Sequence, residues 1–381
     1  MENFKVFDKA NSITEILVKD HEYSDLRGRI RRVSQQLEQE NSSYGDRILR
    51  QACHDLLEES PDSKAHFALR KHVVEELERL PDEALPRYLF YRYRYDVFPE
   101  QKIVDDFPPC LQIEPTSVCN YRCVFCYQID AEFTNRANGH MGMMSLDLFK
   151  RIVDQAEGAC EAITLASRGE PLICPDFELM LKYLRGKFLG LKINTNASLL
   201  DERKSHAILQ ADINTLVFSA DAATEPLYSQ LRVKGNLDRV LKNIRRFREI
   251  KDRDYPHSKM ITRVSGVKYS ADQSLAEMEQ LWGELVDQVV FVDYNPWENT
   301  YEQPTNDITT ACSDLWRRMF VWFDGTINPC DVDFKSTLAV GSAVTDGLSQ
   351  LWTGAKYSAL REAHLANQRG TVSPCNRCTV V

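Results

Sequence analysis

Over the first hundred residues, apolar and charged positions alternate with a helical period. In "DLRGRIRRVSQQLEQE", "DRILRQACHDLLEES" and "AHFALRKHVVEELERL" apolar side chains recur every three or four residues, with charges between them. That spacing gathers the apolar residues on one helix face, so residues 1–107 are expected to form a helical N-terminal region, punctuated at Pro61 and Pro81. Arg27, Arg29, Arg31 and Arg32 read as a solvated helix face, with an acidic partner as the alternative. The aromatic run "LPRYLFYRYRYDVFPE" reads as a surface packed onto the next domain, with a substrate-side wall as the alternative.

Near residue 108 the period shortens. "CLQIEPT", "AITLAS", "LKINTN", "NTLVFSAD", "KMITRVSGV" and "DQVVFVDYN" are β-branched, apolar runs suited to a parallel sheet covered by helices. Between them lie the helical patterns "SLDLFKRIVDQAEG", "PDFELMLKYLRGK", "LDERKSHAILQAD", "NLDRVLKNIRRFREI" and "LAEMEQLWGELVD", with Ser145 and Asp176 as candidate caps. The fold class is therefore α/β. Residues 108–300 form a core of six β/α steps, whose chemistry belongs at the C-terminal strand ends. A third region, 301–381, opens on the polar linker "YEQPTNDITT". It continues as a hairpin turning at Asp324-Gly325, and then as the helical "GLSQLWTGAKYSALREAHLANQ".

Composition narrows the class. No run approaches the length of a membrane span, and the N-terminus lacks the pattern of a signal peptide. A net charge of −9 argues against nucleic-acid or anionic-membrane binding. Eleven cysteines without a secretory signal point to reduced thiols, metal ligands and a cytoplasmic location.

Three of those cysteines, Cys119, Cys123 and Cys126, sit just past the first strand with C-x3-C-x2-C spacing. Structural zinc and cuboidal iron–sulfur centres normally take four protein ligands, and this loop supplies three. The motif, with Phe125 before its last cysteine, resembles the radical S-adenosylmethionine (radical SAM) superfamily. That resemblance implies a partial (β/α)6 barrel and a [4Fe–4S] cluster held by three cysteines, with SAM on the fourth iron. It also implies reductive cleavage of SAM to a 5′-deoxyadenosyl radical that abstracts a substrate hydrogen. Gly169, Glu170 and Pro171 in "SRGEP" look like the family's glycine–glutamate–proline motif, which contacts the SAM amino group. Asn196, Ser219 and Arg232 fall near later strand ends and are candidate SAM contacts; a serine and an arginine at such places contact SAM in relatives, the arginine suiting a carboxylate. Asn194, Asp221, Ser265 and Tyr294 end strands as well, and "SADA" departs from the "SxDG" of many relatives.

Four further cysteines, Cys312, Cys330, Cys375 and Cys378, follow the hairpin and close the chain. Their pattern resembles the SPASM/twitch-type auxiliary domain, which implies one auxiliary [4Fe–4S] cluster; an all-cysteine zinc site is the alternative. Cys53, Cys110, Cys160 and Cys174 read as small buried hydrophobes. The cysteine spacing is similar to that of an aminocyclitol dehydrogenase. The expectation is therefore a radical SAM oxidoreductase acting on a small molecule: a carbohydrate, aminocyclitol or sugar-nucleotide. Its electron donor would be a flavodoxin or ferredoxin. A ribosomally made peptide is the second substrate class, and a non-catalytic iron–sulfur or zinc scaffold is the reading of another kind. No residue stands out as a catalytic base or second hydrogen donor; Tyr127, Arg168 and Arg263 have suitable positions without a specific signal.

Overall fold

The computed structural model describes residues 6–9, 12–18, 25–37, 43–58 and 66–381, which leaves Pro61 outside. In chain order its strands are β1 (Ile13–Val18), β2 (Cys110–Ile113), β3 (Arg122–Cys123), β4 (Ala162–Leu165), β5 (Gly190–Thr195) and β6 (Thr215–Ser219). Then come β7 (Arg232–Val233), β8 (Ile261–Lys268), β9 (Gln288–Asp293), β10 (Arg318–Val321), β11 (Thr326–Asn328) and β12 (Gly341–Ser342). Six of them, β2-β4-β5-β6-β8-β9, pair in parallel in that order. The sheet continues past both edges. β1 adds antiparallel to β9, and β10 adds parallel to β2, followed by antiparallel β11 and β12. Together with the helices this is a mixed α/β, radical-SAM-like barrel sheet with a C-terminal region of short strands and helices.

The apolar runs explain the layers. Ile163, Ile193, Leu216 and Val264 are fully buried under the helices, each worth roughly 1.5–3 kcal/mol of burial. β5 shows the alternation most clearly: Leu191 and Ile193 are buried under the helices, while Lys192 and Asn194 line the lumen. The expected helices form at Leu146–Ala156, Phe177–Leu184, Glu202–Gln210, Leu237–Asp254 and Leu275–Gly283. Ser145 caps the first, its Oγ accepting from the Leu148 N–H at 3.3 Å. Asp176 occupies the N-cap position of the second but its side chain accepts no capping hydrogen bond.

Among the described residues, four α-helices precede the core: α1 (Leu26–Leu37), α2 (Tyr44–Leu57), α3 (Lys71–Glu78) and α4 (Leu85–Gln101). The aromatic run is α4, and it lies against the N-terminal ends of the parallel strands. Arg87 makes two 2.7 Å bonds to Glu161, and Arg94 donates to the Phe107 carbonyl at 2.7 Å. β1 is an addition to the helical expectation: "ITEILV" is too short for a helix to compete with pairing on the open edge of β9. The arginine run is largely a solvated face: Arg27, Arg31 and Arg32 are exposed and Arg29 is half-buried. Arg29 and Arg32 both donate to Asp82, at 2.6 and 3.1 Å.

The Asp-Gly turn forms, with Gly325 at φ +87° in the left-handed region that favours glycine. The helical stretch after it divides into Leu348–Trp352 and Ala355–Leu365. Residues 6–9 run beside the C-terminus: Phe7 donates to Thr379 O at 2.8 Å and Lys9 to Val381 O at 3.1 Å. Among the described residues no helix is long and apolar enough to cross a membrane.

Candidate active site

The loop after β2 carries Cys119, Cys123 and Cys126, and its neighbours hold it in place. β3 pairs antiparallel with β7, setting Cys123 opposite Arg232. The Gly169 loop lies directly on it. A Cβ at Gly169 would come within 2.3 Å of the Thr116 carbonyl and 2.6 Å of the Val118 carbonyl, so only glycine fits. The next residue, Glu170, donates its N–H to Val118 O at 2.9 Å. Its buried carboxylate accepts from Thr195 Oγ1 (2.6 Å), Asn196 N (2.7 Å) and Leu172 N (3.1 Å), locking the loop to the end of β5. Burial pushes the Glu170 carboxyl up, against these bonds. Pro171 starts the short 3-10 turn Pro171–Ile173 and is buried.

These residues surround one cavity of about 400 Å³. Cys119, Cys123, Phe125, Cys126, Gly169, Glu170, Asn196, Ser219 and Arg232 all line it, as do Asn194, Ser265 and Tyr294; Pro171 does not. Arg232 is 6% exposed. Its Nε lies 2.5 Å from Asp221 and one Nη is 3.8 Å from the Cys123 sulfur. Two of the five guanidinium N–H groups are thus engaged, and others remain for a ligand carboxylate. The Asn196 amide donates to Asn120 at 3.0 Å and its carbonyl accepts from the Ser198 N–H and hydroxyl. Burial raises all three thiols, Cys119 to about 12, with Arg232 opposing the shift at Cys123. Thiolates here need a cationic centre larger than one guanidinium can supply, and a metal cluster meets that need.

A second thiol set lies behind. Cys312, Cys330, Cys375 and Cys378 line a single small cavity beside His364 and Arg369. Arg369, 1% exposed, donates to the carbonyls of Cys375 (3.1 Å), Cys378 (2.6 Å) and Thr310 (3.0 Å) and so shapes the terminal loop. Burial pushes these thiols up as well, Cys312 to about 11. Asp314 lines the same cavity but is paired with Arg317 and Arg318, and the four soft thiol donors suit an iron–sulfur cluster.

Residues 113–278 match the family described as the Radical SAM superfamily, and residues 312–379 match SPASM, the iron–sulfur cluster-binding domain. The chain belongs to the radical SAM superfamily. Its cofactors are accordingly SAM and a [4Fe–4S] cluster, with auxiliary iron–sulfur in the SPASM region. This radical SAM chain is 28% identical over 142 residues to the mycofactocin maturase MftC of Mycobacterium tuberculosis, covering 36% of this chain and 35% of that one. It is 32% identical over 113 residues to the tungsten-containing aldehyde ferredoxin oxidoreductase cofactor-modifying protein of Pyrococcus furiosus, covering 29% and 30%. The matches thus span about a third of these relatives. Among solved structures, Streptococcus suis SuiB bound to its precursor peptide SuiA shares the fold. The TM-score is 0.52 at 17% identity, over 79% of this chain and 74% of that chain. The AdoMet-bound anSMEcpe aligns at 0.51 with 14% identity, over 71% and 87%.

The structure gives partners to further residues named from the sequence and adds Glu114, Phe7, Lys9 and Asp331, which were not. Asp221 is fully buried as the partner of Arg232, and Val267 N donates to its other oxygen at 2.8 Å. Arg168 is no free acid or base. It makes two 2.7 Å bonds to the fully buried Glu114 and a 2.8 Å bond to Phe334 O, joining the Gly169 loop to the C-terminal region. Tyr127 lines the cavity while its hydroxyl donates to Ser167 O at 2.9 Å, and Arg263 lies deeper, in the lumen. Phe7, Lys9 and Asp331 complete the cavity wall; Asp331 follows Cys330 directly, and Lys9 reaches within 3.9 Å of it. Strand-end position flagged Asp221 in the sequence, without its arginine partner. Nothing in the sequence ties residues 7 and 9 to a site built after residue 110.

Proposed function

We propose that this radical SAM enzyme removes two hydrogens from a carbinol of a small substrate, a carbohydrate, aminocyclitol or sugar-nucleotide, to give a carbonyl. One observation carries the reading: Asp331, next in the chain to Cys330, lines the same cavity as Cys119, Cys123 and Cys126. The chain thus passes within one residue from the second thiol set to the cavity wall. When bound, SAM with the Cys119/Cys123/Cys126 cluster would supply a 5′-deoxyadenosyl radical to take the carbon's hydrogen atom, and the Cys312/Cys330/Cys375/Cys378 cluster would take the remaining electron while the hydroxyl proton leaves to solvent. Four thiolates leave that second cluster no open iron for substrate, which favours electron acceptance over substrate binding. Arg232 would orient the SAM carboxylate through its unengaged N–H groups, with Asp221 fixing the plane of the guanidinium. Gly169 and Glu170 would hold the methionine end by backbone. Tyr127, stacked on Phe334 at 5.1 Å and edge-on to Phe133 at 5.7 Å, shields one wall of the cavity from water.

A peptide substrate is the second reading, favoured by a maturase and a precursor-peptide enzyme among the similar proteins. The test is a substrate panel with dithionite and SAM, read as 5′-deoxyadenosine formed above the substrate-free background. With the responding carbinol deuterated at the reacting carbon, oxidation moves deuterium into 5′-deoxyadenosine. The unlabelled product is then two hydrogens lighter than the substrate. A product of unchanged mass carrying a solvent hydrogen would mean epimerisation, and a response to peptides alone would replace the carbinol reading.

A further inference from the structure

Below the candidate SAM site the barrel lumen opens into a second chamber of about 310 Å³, and the two cavities share Thr164, Lys192, Asn194, Ser265 and Arg318 as lining. The chamber wall is cationic, and its carboxylates are already divided. Asp96 takes Arg92 at 2.7 Å. Asp314 is shared by Arg317 at 3.6 Å, Arg318 at 3.6 Å and Lys9 at 3.8 Å. Glu76 accepts from the Tyr88 hydroxyl and is 3.9 Å from Arg263.

Two cations, Lys192 and Arg263, are left under-compensated on one face of the sheet, beside Arg318, whose charge Tyr95 and Asp314 favour. Arg263, 7% exposed, spends its Nε on Gln288 at 2.6 Å, while its Nη2 has no hydrogen-bond partner among the described residues. Arg318 donates to the Tyr95 hydroxyl and at 3.5 Å to Gln112, and its Nε has no hydrogen-bond partner there. Lys192 has neither a hydrogen bond nor an ion pair among the described residues. Nearby, the Asn194 side-chain oxygen is also unpartnered. Burial, then Arg318 and Arg263, hold the Lys192 ammonium down to about 8, and burial with Arg263 and Arg92 holds His72 down to about 2. Half-buried and buried cations this close together, with only distant or shared carboxylates, are costly unless an anion joins them.

We propose that this chamber binds a phosphoryl group of the substrate, with Lys192, Arg263 and Arg318 as its ligands. Two guanidinium forks and one ammonium suit a multiply charged oxyanion better than a single carboxylate. The position also sets a length. Lys192 lies four residues before Asn196 on β5, roughly 13 Å along the strand at about 3.3 Å per residue. The reacting carbon and the phosphoryl group are thus separated by on the order of 10 Å, which fits a diphosphate-linked sugar and not a free aminocyclitol. The inference rests on the small-carbinol reading for the rest of the substrate.

The test is a titration of anaerobically reconstituted, SAM-loaded protein with inorganic pyrophosphate, followed by calorimetry. Native protein should bind pyrophosphate. Lys192→Met should weaken binding by about tenfold or more, as expected for loss of a charge-assisted contact, and Lys192→Arg should retain it. Lys192→Met should also raise the unfolding temperature of the ligand-free protein, because it removes an uncompensated cation. No binding by native protein, equal binding by Lys192→Met, or a lower unfolding temperature would overturn the proposal. So would Lys192-dependent binding of a glutamate-rich peptide in preference to pyrophosphate. Binding is read without turnover, so its failure leaves the carbinol chemistry standing. A product mass that excludes oxidation leaves the chamber standing.

Discussion

Replacing Arg168 by Met tests how the SAM-site loop is fastened to the C-terminal region. Arg168 and Glu114 are 2% and 0% exposed. The guanidinium makes two 2.7 Å bonds to the carboxylate, a third bond to Phe334 O, and lies 4.1 Å from the centre of the Trp322 ring. Met fills much of the stem but leaves Glu114 with only the N–H groups of Arg168 and Phe323, at 3.1 and 3.2 Å, and no counter-charge. Removing one partner of a buried pair costs about 3–5 kcal/mol. The residual amide bonds to Glu114 place this case near the lower end, about 3–4 kcal/mol. Glu114→Gln should cost a similar amount, because it strands the guanidinium. The double variant Glu114→Gln/Arg168→Met should lose less than the two singles combined, by about 2 kcal/mol or more. Urea unfolding of the four proteins under anaerobic conditions measures all three quantities. A single-variant loss below about 1 kcal/mol, or strict additivity, would refute the claim that this ion pair joins the two regions.

Anaerobic reconstitution should load about eight irons as two [4Fe–4S] clusters, and replacing Cys119, Cys123 and Cys126 together by Ala should leave about four, read by iron assay and absorption. Dithionite and SAM should yield 5′-deoxyadenosine and methionine without substrate, and Cys126→Ala should abolish that yield. Gly169→Ala should weaken SAM binding and lower the unfolding temperature, since the new Cβ meets backbone that cannot move aside; native-like values for both would contradict the packing. Lys192, held to about 8, is expected near 10.4 in the unfolded chain. The unfolded chain therefore binds more protons between these values, and this group makes stability rise with pH across that window. The stability advantage of Lys192→Met over native protein should shrink as pH rises from about 7 to about 9.5, and an advantage independent of pH would exclude the linkage.

The six core strands and their helices were legible because period and composition agree there. β5 is the clearest case, a short apolar alternation bounded by turns. The thiol loop and the Gly169 loop were legible because rigid chemistry imposes fixed spacing along the chain. What stayed hidden depends on pairings distant in sequence. β1 reaches the sheet only through the edge of β9, more than 250 residues later. Arg168 looked available until Glu114 was found against it. Phe7 and Lys9 enter the cavity wall by pairing with the last three residues. Lys192 gave no signal in the sequence; only the structure brings it into the same lumen as Arg263 and Arg318 from other strands.

The hairpin strand β10 runs parallel to β2 across four residues, from Arg318 opposite Cys110 to Val321 opposite Ile113. It is therefore the cover on one flank of the core sheet. A chain ending after β9 would leave the β2 backbone unpaired beside the apolar residues Leu111 and Ile113. Such a bare edge recruits strands from other molecules. Loss of the last eighty residues should then lead to self-association as well as loss of a redox centre. Any exchange of C-terminal segments between related enzymes is bound by the same condition: the incoming segment must present a strand that pairs in parallel and in register with β2.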